Sequence, residues 1–236
     1  MKTNVLVIGG GGAGLTAAIS AAKEGARVRL VSKTQAGLNT CTAYSGGIFS
    51  LACGEVTPEE HFAKTMEVGC HANDAALVQT MTEHAEQTLL ELQRWGVDIR
   101  FPRPGKASVR QSAAHKLMGG EGFTAQLRKI AQSEHVELIE SSIVTDLLND
   151  DSGVCGAKLV NWQMGKAQLL YADAVIIATG GAGQIFSRTD NPVRMTGDGY
   201  ALALKAGLNC ATWNSSSSTR LAGTIPSCPY GWLTSD

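Results

Sequence analysis

The chain opens on a polar start and then four apolar residues in succession, 5–8, which stop at a glycine. A run that short, apolar at every position, reads as a buried strand. Residues 9–14 are glycine-rich, and residues 15–24 are rich in alanine and other good helix formers. Gly25 is placed to cap that helix, and residues 26–31 read as the next strand. Strand, loop, helix and strand fit within about thirty residues, the length a right-handed crossover unit needs.

Further on, residues 37–53 form a small-residue loop with no period until Gly47-Ile48-Phe49. Thr57-Pro58-Glu59-Glu60 reads as a helix start, with Thr57 as cap, Pro58 in the first position and Glu60 closing a capping box. Residues 74–95 predict a long amphipathic helix ended by Gly96, followed by an extended stretch over 97–101 and a turn over 102–105. A helix is expected over 122–133 and one or two strands over 136–148. Residues 154–161 and 167–171, joined through Met164-Gly165, read as a hairpin. Residues 174–178 are again a buried strand, Thr179-Gly180-Gly181-Ala182-Gly183 follows it, and a short helix is expected over 198–206. From Trp213-Asn214-Ser215-Ser216-Ser217-Ser218-Thr219 onward the pattern has no period.

Length and composition narrow the class. A chain of 236 residues with 44% hydrophobic residues can bury a substantial core. A formal net charge of -1 argues against an electrostatic nucleic-acid binder. The 27 glycines cluster, which points to close backbone approach to a ligand rather than to low complexity. None of Cys41, Cys53, Cys70, Cys155, Cys210 and Cys228 forms a C-x-x-C pair. They read as reduced thiols, not metal ligands. No basic leader precedes the first strand and no apolar run approaches a membrane span, so the expectation is a cytoplasmic protein, or one held peripherally by partners.

Gly9-x-Gly11-x-x-Gly14 follows a strand and opens a helix. In that setting Gly9 permits the turn, Gly11 lets backbone approach a pyrophosphate, and Gly14 lets helix pack on strand. The helix N-terminus adds amide donors and a positive dipole end for the phosphates. The usual acidic residue after the second strand is replaced by Ser32-Lys33, so the fingerprint alone leaves NAD and FAD both open.

Four motifs in order carry a family resemblance: Val7-Ile8-Gly9-Gly10-Gly11-Gly12-Ala13-Gly14-Leu15, Leu30-Val31-Ser32-Lys33 with Ser45-Gly46-Gly47-Ile48, Ala178-Thr179-Gly180-Gly181-Ala182-Gly183, and Thr196-Gly197-Asp198-Gly199. Together the motifs resemble the flavoprotein subunits of fumarate reductase and succinate dehydrogenase, and L-aspartate oxidase, from Val5 to about Leu208. The resemblance implies an α/β fold: a Rossmann-like FAD-binding domain with a parallel sheet, a glycine-loop βαβ start and an inserted β-meander. It implies that Gly9, Gly11, Gly12, Ala13 and Gly14 cradle the FAD pyrophosphate, and that Ser32 and Lys33 lie beside the adenosine ribose. It further implies that Asn39, Thr40, Cys41, Ser45, Gly46 and Gly47 wrap the flavin side, that Val144 presents its backbone to adenine, that Ala178, Thr179 and Gly180 cross near the pyrophosphate, and that Asp198 bonds the ribityl chain. A dicarboxylate substrate and an electron-transfer partner subunit come with the full-length family.

Two departures change the expectation. Membrane-bound members carry a flavin-linking His where this chain has Thr40, so FAD should be held non-covalently. The family's substrate-gripping Arg and His residues, which follow a Met-Glu-Phe-Val-Gln-Phe-like segment, have no counterpart here. The resemblance thus divides the chain into an incomplete FAD-binding domain over 1–212, truncated at its C-terminal side, and a non-family tail over 213–236. Three readings follow: hydride transfer between FAD and a dicarboxylate, an L-aspartate oxidase-like reaction, or an inactive truncated product without turnover by itself. His115, with Arg110 and Lys116, reads as a polar loop near the flavin entrance. His61, His71, His84 and His135 have no partners at fixed spacing, Glu83, Glu86, Glu91 and Arg94 read as a solvated face, and Trp95 and Trp162 as core or hairpin packing.

The tail itself reads as an out-of-frame translation. With AAT for Asn214 and an A before the Trp213 codon, TGG-AAT-TCG-TCC-AGT-TCT-ACC-CGN read one base earlier encodes Met-Glu-Phe-Val-Gln-Phe-Tyr-Pro. The alternative is a natural serine-rich end. Sequencing the locus around codon 212 is expected to reveal capping-domain coding sequence in a shifted frame; an in-frame stop after Asp236, with none in any downstream frame, overturns the shift.

Overall fold

The computed structural model describes residues 4–109, 119–151 and 153–207. Arg110, His115 and Lys116 and the tail from Trp213 lie outside the described residues. Strand β1 (Asn4–Ile8) runs into helix α1 (Gly12–Lys23) and strand β2 (Arg27–Val31), the expected crossover unit. A short helix α2 (Cys41–Tyr44) and strand β3 (Ile48–Ser50) follow, then helices α3 (Pro58–Val68) and α4 (Ala75–Arg94). Strands β4 (Ile99–Arg103) and β5 (Lys106–Val109) precede helix α5 (Gly119–Ser133). Strands β6 (Glu137–Ile139), β7 (Ser142–Asp150), β8 (Gly153–Asn161), β9 (Lys166–Tyr171) and β10 (Ala174–Ile177) lead to helix α6 (Asp198–Lys205).

Among the described residues three sheets result. The parallel sheet runs β10-β1-β2-β6, with Val5 opposite both Ala174 and Val28. An antiparallel sheet β3-β5-β4 lies apart from it, and β7-β8-β9 forms an antiparallel meander. The apolar run of β1 is explained by what flanks it. Val5 and Val7 pack in one core with Leu15, Ala18 and Ile19 of α1 and Phe123, Leu127 and Ala131 of α5. Leu6 and Ile8 face the other way, into a second core with Val144, Ala157, Leu159 and Leu170 of the meander. A strand sandwiched between helices and a second sheet has no solvent face, so period-2 alternation disappears.

Local signals hold where they are short-range. Thr57 and Glu60 exchange both capping-box bonds, Glu60 N to Thr57 Oγ1 at 3.2 Å and Thr57 N to Glu60 Oε2 at 3.0 Å. Asp74 caps α4 by accepting from Ala76 N and Leu77 N. The exposed face of α4 carries Glu83, Glu86, Glu91 and Arg94.

Differences from the expectation have local causes. The 37–53 loop contains α2, nucleated where Thr40 Oγ1 accepts from Ala43 N at 3.1 Å. Helix α5 takes in Gly119 and Gly120, which the sequence pattern leaves out because glycine is a poor helix former in isolation. Here a Cβ at Gly120 would lie 1.9 Å from Thr42 O, so only glycine lets α5 meet α2. Trp95 packs against the helical core, whereas Trp162 is 43% exposed at the meander's tip.

Helix α1 approaches the sheet so closely that a Cβ at Gly14 would sit 1.8 Å from Gly9 O. Gly14→Ala is expected to lower unfolding stability by about 1–3 kcal/mol, as overpacking does. Urea denaturation checks this, and an unchanged midpoint refutes the contact.

Candidate functional site

The carboxyl ends of β1, β2 and β10 converge on one cavity of about 220 Å³. In an open parallel sheet that is where ligands bind. Gly9, Gly11, Gly12 and Ala13 line it at the start of α1. Gly9 has a φ of 119°, and a Cβ there would meet Ala178 O at 2.2 Å, so the turn after β1 is closed to other residues.

The N-terminus of α1 has the features of an anion cradle. Its N-cap, Gly11, offers no side-chain cap, and the first turn has no acidic residue. A helix leaves its first amides without intrahelical acceptors. Gly12 N finds Thr42 Oγ1 at 3.2 Å, and the cavity borders the rest of the turn. A Cβ at Gly11 would meet nothing closer than Thr40 Cβ at 3.7 Å. Glycine is therefore not needed there for packing; a side chain would instead take up cavity space. Residues and cavity fit a dinucleotide pyrophosphate.

Ser32, Lys33 and Thr34 form one wall. Ser32 is buried, its amide donating to Ile139 O and its carbonyl accepting from Ser142 N, both at 2.9 Å. Lys33 forms an ion pair with Asp198, and its Nζ donates to Thr196 Oγ1 at 2.7 Å and Arg194 O at 3.2 Å. Thr196 Oγ1 in turn donates to Asp198 Oδ1 at 2.8 Å. Lys33, expected beside the adenosine ribose, and Asp198, expected on the ribityl chain, are thus in direct contact.

Asn39, Thr40 and Cys41 line another side, with Asn39 in the left-handed region at a φ of 54°. The loop leading to them is anchored by Glu140, whose Oε1 accepts from Ala36 N and from Arg128, each at 2.8 Å. Burial pushes the Cys41 thiol up, with the Asp190 carboxylate adding to it, so it stays protonated and donates to Asn191 Oδ1 at 3.3 Å. Val144 of the meander and Ala178, Thr179 and Gly180 beyond β10 complete the lining.

Four expected site residues do not line the cavity. Gly14 serves the packing of α1 on Gly9. Ser45, Gly46 and Gly47 instead meet the start of α5, with Ser45 and Gly46 exposed: Gly120 N donates to Ser45 O, and a Cβ at Gly47 would lie 2.5 Å from Gly119 C. Conversely, Arg194, Met195 and Leu202 line the cavity without having been singled out, and Thr42, inside the 39–47 stretch expected to wrap the flavin side, lines it too. Only Thr42 left a legible trace, one position beyond Cys41.

Residues 4–216 match the family model described as FAD binding domain. The chain belongs to this family. Its relatives include a fumarate reductase (CoM/CoB) subunit of Methanothermobacter marburgensis, 32% identical over 87% of this chain and 40% of the relative. L-aspartate oxidase of Streptomyces coelicolor is 32% identical over 88% of this chain and 38% of the relative. Among solved structures, Sdh1 of Mycobacterium smegmatis superposes with a TM-score of 0.75 at 30% identity, covering 87% of this chain and 38% of that one. A quinol fumarate reductase of Escherichia coli gives 0.74 at 27% identity, over 87% and 37%. The chain therefore spans about two fifths of the length of the relatives it matches, at their N-terminal side. FAD is the cofactor of this FAD binding domain. Among the described residues, no cluster of His, Cys, Asp or Glu could hold a metal, and no helix is long and apolar enough to cross a membrane.

The different surroundings of two glycines yield a paired test. Gly11→Val should abolish FAD retention while leaving apo-protein stability near that of the parent, because its side chain meets cavity rather than core. Flavin content and urea midpoint measured together check this; parental flavin content in Gly11→Val refutes the cradle.

Proposed function

We propose that this domain holds FAD non-covalently for an oxidoreductase of the fumarate reductase and succinate dehydrogenase type, with a dicarboxylate as substrate. The observation that carries the reading is the uncapped, glycine-lined N-terminus of α1 opening onto the cavity at the sheet's carboxyl edge. Bound FAD would supply two-electron chemistry at a carbon centre. The chain's own part is to bind and orient it. Amides of 11–13 receive the pyrophosphate, the 32–33 edge and Val144 border the adenosine, and Asp198 offers a carboxylate to a hydroxyl chain. Lys33 balances that carboxylate's charge while the cofactor enters.

Non-covalent attachment rests on Thr40. Its hydroxyl caps α2, and among the described residues no His lines the cavity. The protonated Cys41 is a poor nucleophile as well. A second reading, oxidation of an amino dicarboxylate at a C–N bond, is favoured by the Streptomyces relative, which matches at the same 32% identity as the Methanothermobacter one. A partner passing electrons fits the naming of the Methanothermobacter relative as one subunit of a reductase. The free thiols Cys41, Cys53, Cys70 and Cys155 suit a reducing compartment such as the cytoplasm.

Chain purified from a flavin-replete host should carry FAD at close to equimolar amount, and acid precipitation should release all of the yellow colour to the supernatant. Absence of flavin refutes the cofactor reading, and colour retained in the pellet refutes non-covalent attachment.

A further inference from the structure

The rim of the cofactor cavity is tied from outside by a residue that does not line it. Trp162 sits at the tip of the β8–β9 hairpin, where Asn161 Oδ1 accepts from Gln163 N at 3.1 Å and Met164 N at 2.9 Å to hold the turn. The Trp162 amide donates to Ser141 O at 3.0 Å, so the indole is presented from a fixed base. Its Nε1 donates to Lys33 O at 2.8 Å, reaching the end of β2. The Arg194 guanidinium lies over the indole ring at 5.1 Å from the centroid. Arg194 O accepts from Lys33 Nζ at 3.2 Å, which closes a ring of contacts through Trp162, Lys33 and Arg194.

Three chain segments far apart in sequence thereby meet around one indole. Both Lys33 and Arg194 line the cavity. Among the described residues no carboxylate lies within ion-pair distance of Arg194, so the aromatic face is what places its charge. An indole is the strongest aromatic partner for a cation and also has an N–H to donate. At 43% exposure Trp162 contributes little to either core, so its contacts with the rim are its main structural investment.

We propose that Trp162 and Arg194 form a clasp that retains FAD: Arg194 borders the cofactor, and Trp162 is a positioning residue acting through Arg194 and the Lys33 backbone. Lys33 joins the end of β2 to the 194–198 segment along the cavity wall, and the clasp opposes separation of the two. Its effect therefore falls on dissociation rather than association. The inference rests on the FAD-binding reading of the same cavity.

The test uses the full chain, with FAD release followed by flavin fluorescence after mixing with an excess of a competing flavin-binding protein. Trp162→Ala and Arg194→Ala should each raise the dissociation rate roughly 2- to 30-fold, the span of a partly desolvated cation–aromatic contact. In Trp162→Ala, which leaves the Arg194 charge in place, the association rate should stay at the parental value, and the apo-protein urea midpoint should do so in both variants. The double variant should release FAD no faster than the faster single variant, because the two side chains act as a unit. Trp162→Phe, which keeps the ring but loses the N–H, should fall between parent and Trp162→Ala. Unchanged dissociation in both single variants, increments that multiply in the double variant, or a lowered apo midpoint accounting for the loss would each overturn the clasp. Limited trypsin digestion of the apo chain reads the clasp without cofactor. Cleavage after Arg194 should accelerate in Trp162→Ala, and equal rates overturn the proposal. Failure of the parent to bind FAD overturns the cofactor reading instead.

Discussion

Contact between bare backbones at the end of β1 governs this domain. Gly9 turns against the carbonyl of Ala178, and Gly14 sets α1 against the carbonyl of Gly9, at separations that admit no Cβ. These contacts draw β1, α1 and β10 together at one point. They place the uncapped first turn of α1 beside the strand ends, where its dipole and amides face the cavity. Moving α1 outward by the width of a methyl group would both loosen the core around Leu15 and Ile19 and withdraw the amides from the ligand. Packing and binding are coupled through the same two glycines.

The cavity also depends on the meander. Val144 is buried beside Leu6 and Ile8, so the second face of β1 and the far side of the cavity are built from one sheet. Glu140, just before β7, grips both Ala36 N and Arg128, linking the meander's start to α5 and to the loop that carries Asn39. Val144 and the Asn39 loop are therefore not free-standing parts of the cavity wall. Each is tied to the parallel sheet or to a layer covering it.

What was legible in the sequence was local. The apolar run of 5–8, the glycine spacing at 9, 11 and 14, and the Thr57–Glu60 box each involve neighbours a few residues apart, and each has a distinct chemical requirement. The family resemblance extended this to cavity residues such as Asn39, Val144 and Asp198, which carry no local signal. The short helix α2 was not legible, since its four residues depend on a Thr40 cap and on close approach by α5 through Gly119 and Gly120. Those glycines read as breakers until the backbone they meet is known. Arg194 and Trp162 were out of reach for a related reason: the Trp162 bond to Lys33 spans 129 positions, and no spacing rule covers such a distance. Ser45, Gly46 and Gly47 show the ambiguity of a small-residue run, since the close approach of Gly47 to Gly119 and an approach to a ligand ask for the same residue type.

The order of the parallel sheet has a consequence for biosynthesis. One edge of β1 pairs with β2 almost at once, but the other waits for β10, where Val5 meets Ala174. At a translation speed of about 5–20 residues per second, that edge stays open for roughly ten to thirty seconds on the ribosome. For all that time a strand apolar from Val5 to Ile8 shows an unpaired hydrogen-bonding edge, the kind of template that recruits other nascent chains. The meander emerges before β10 and covers Leu6 and Ile8 first, so the nascent chain can shield the face of β1 before it closes the edge.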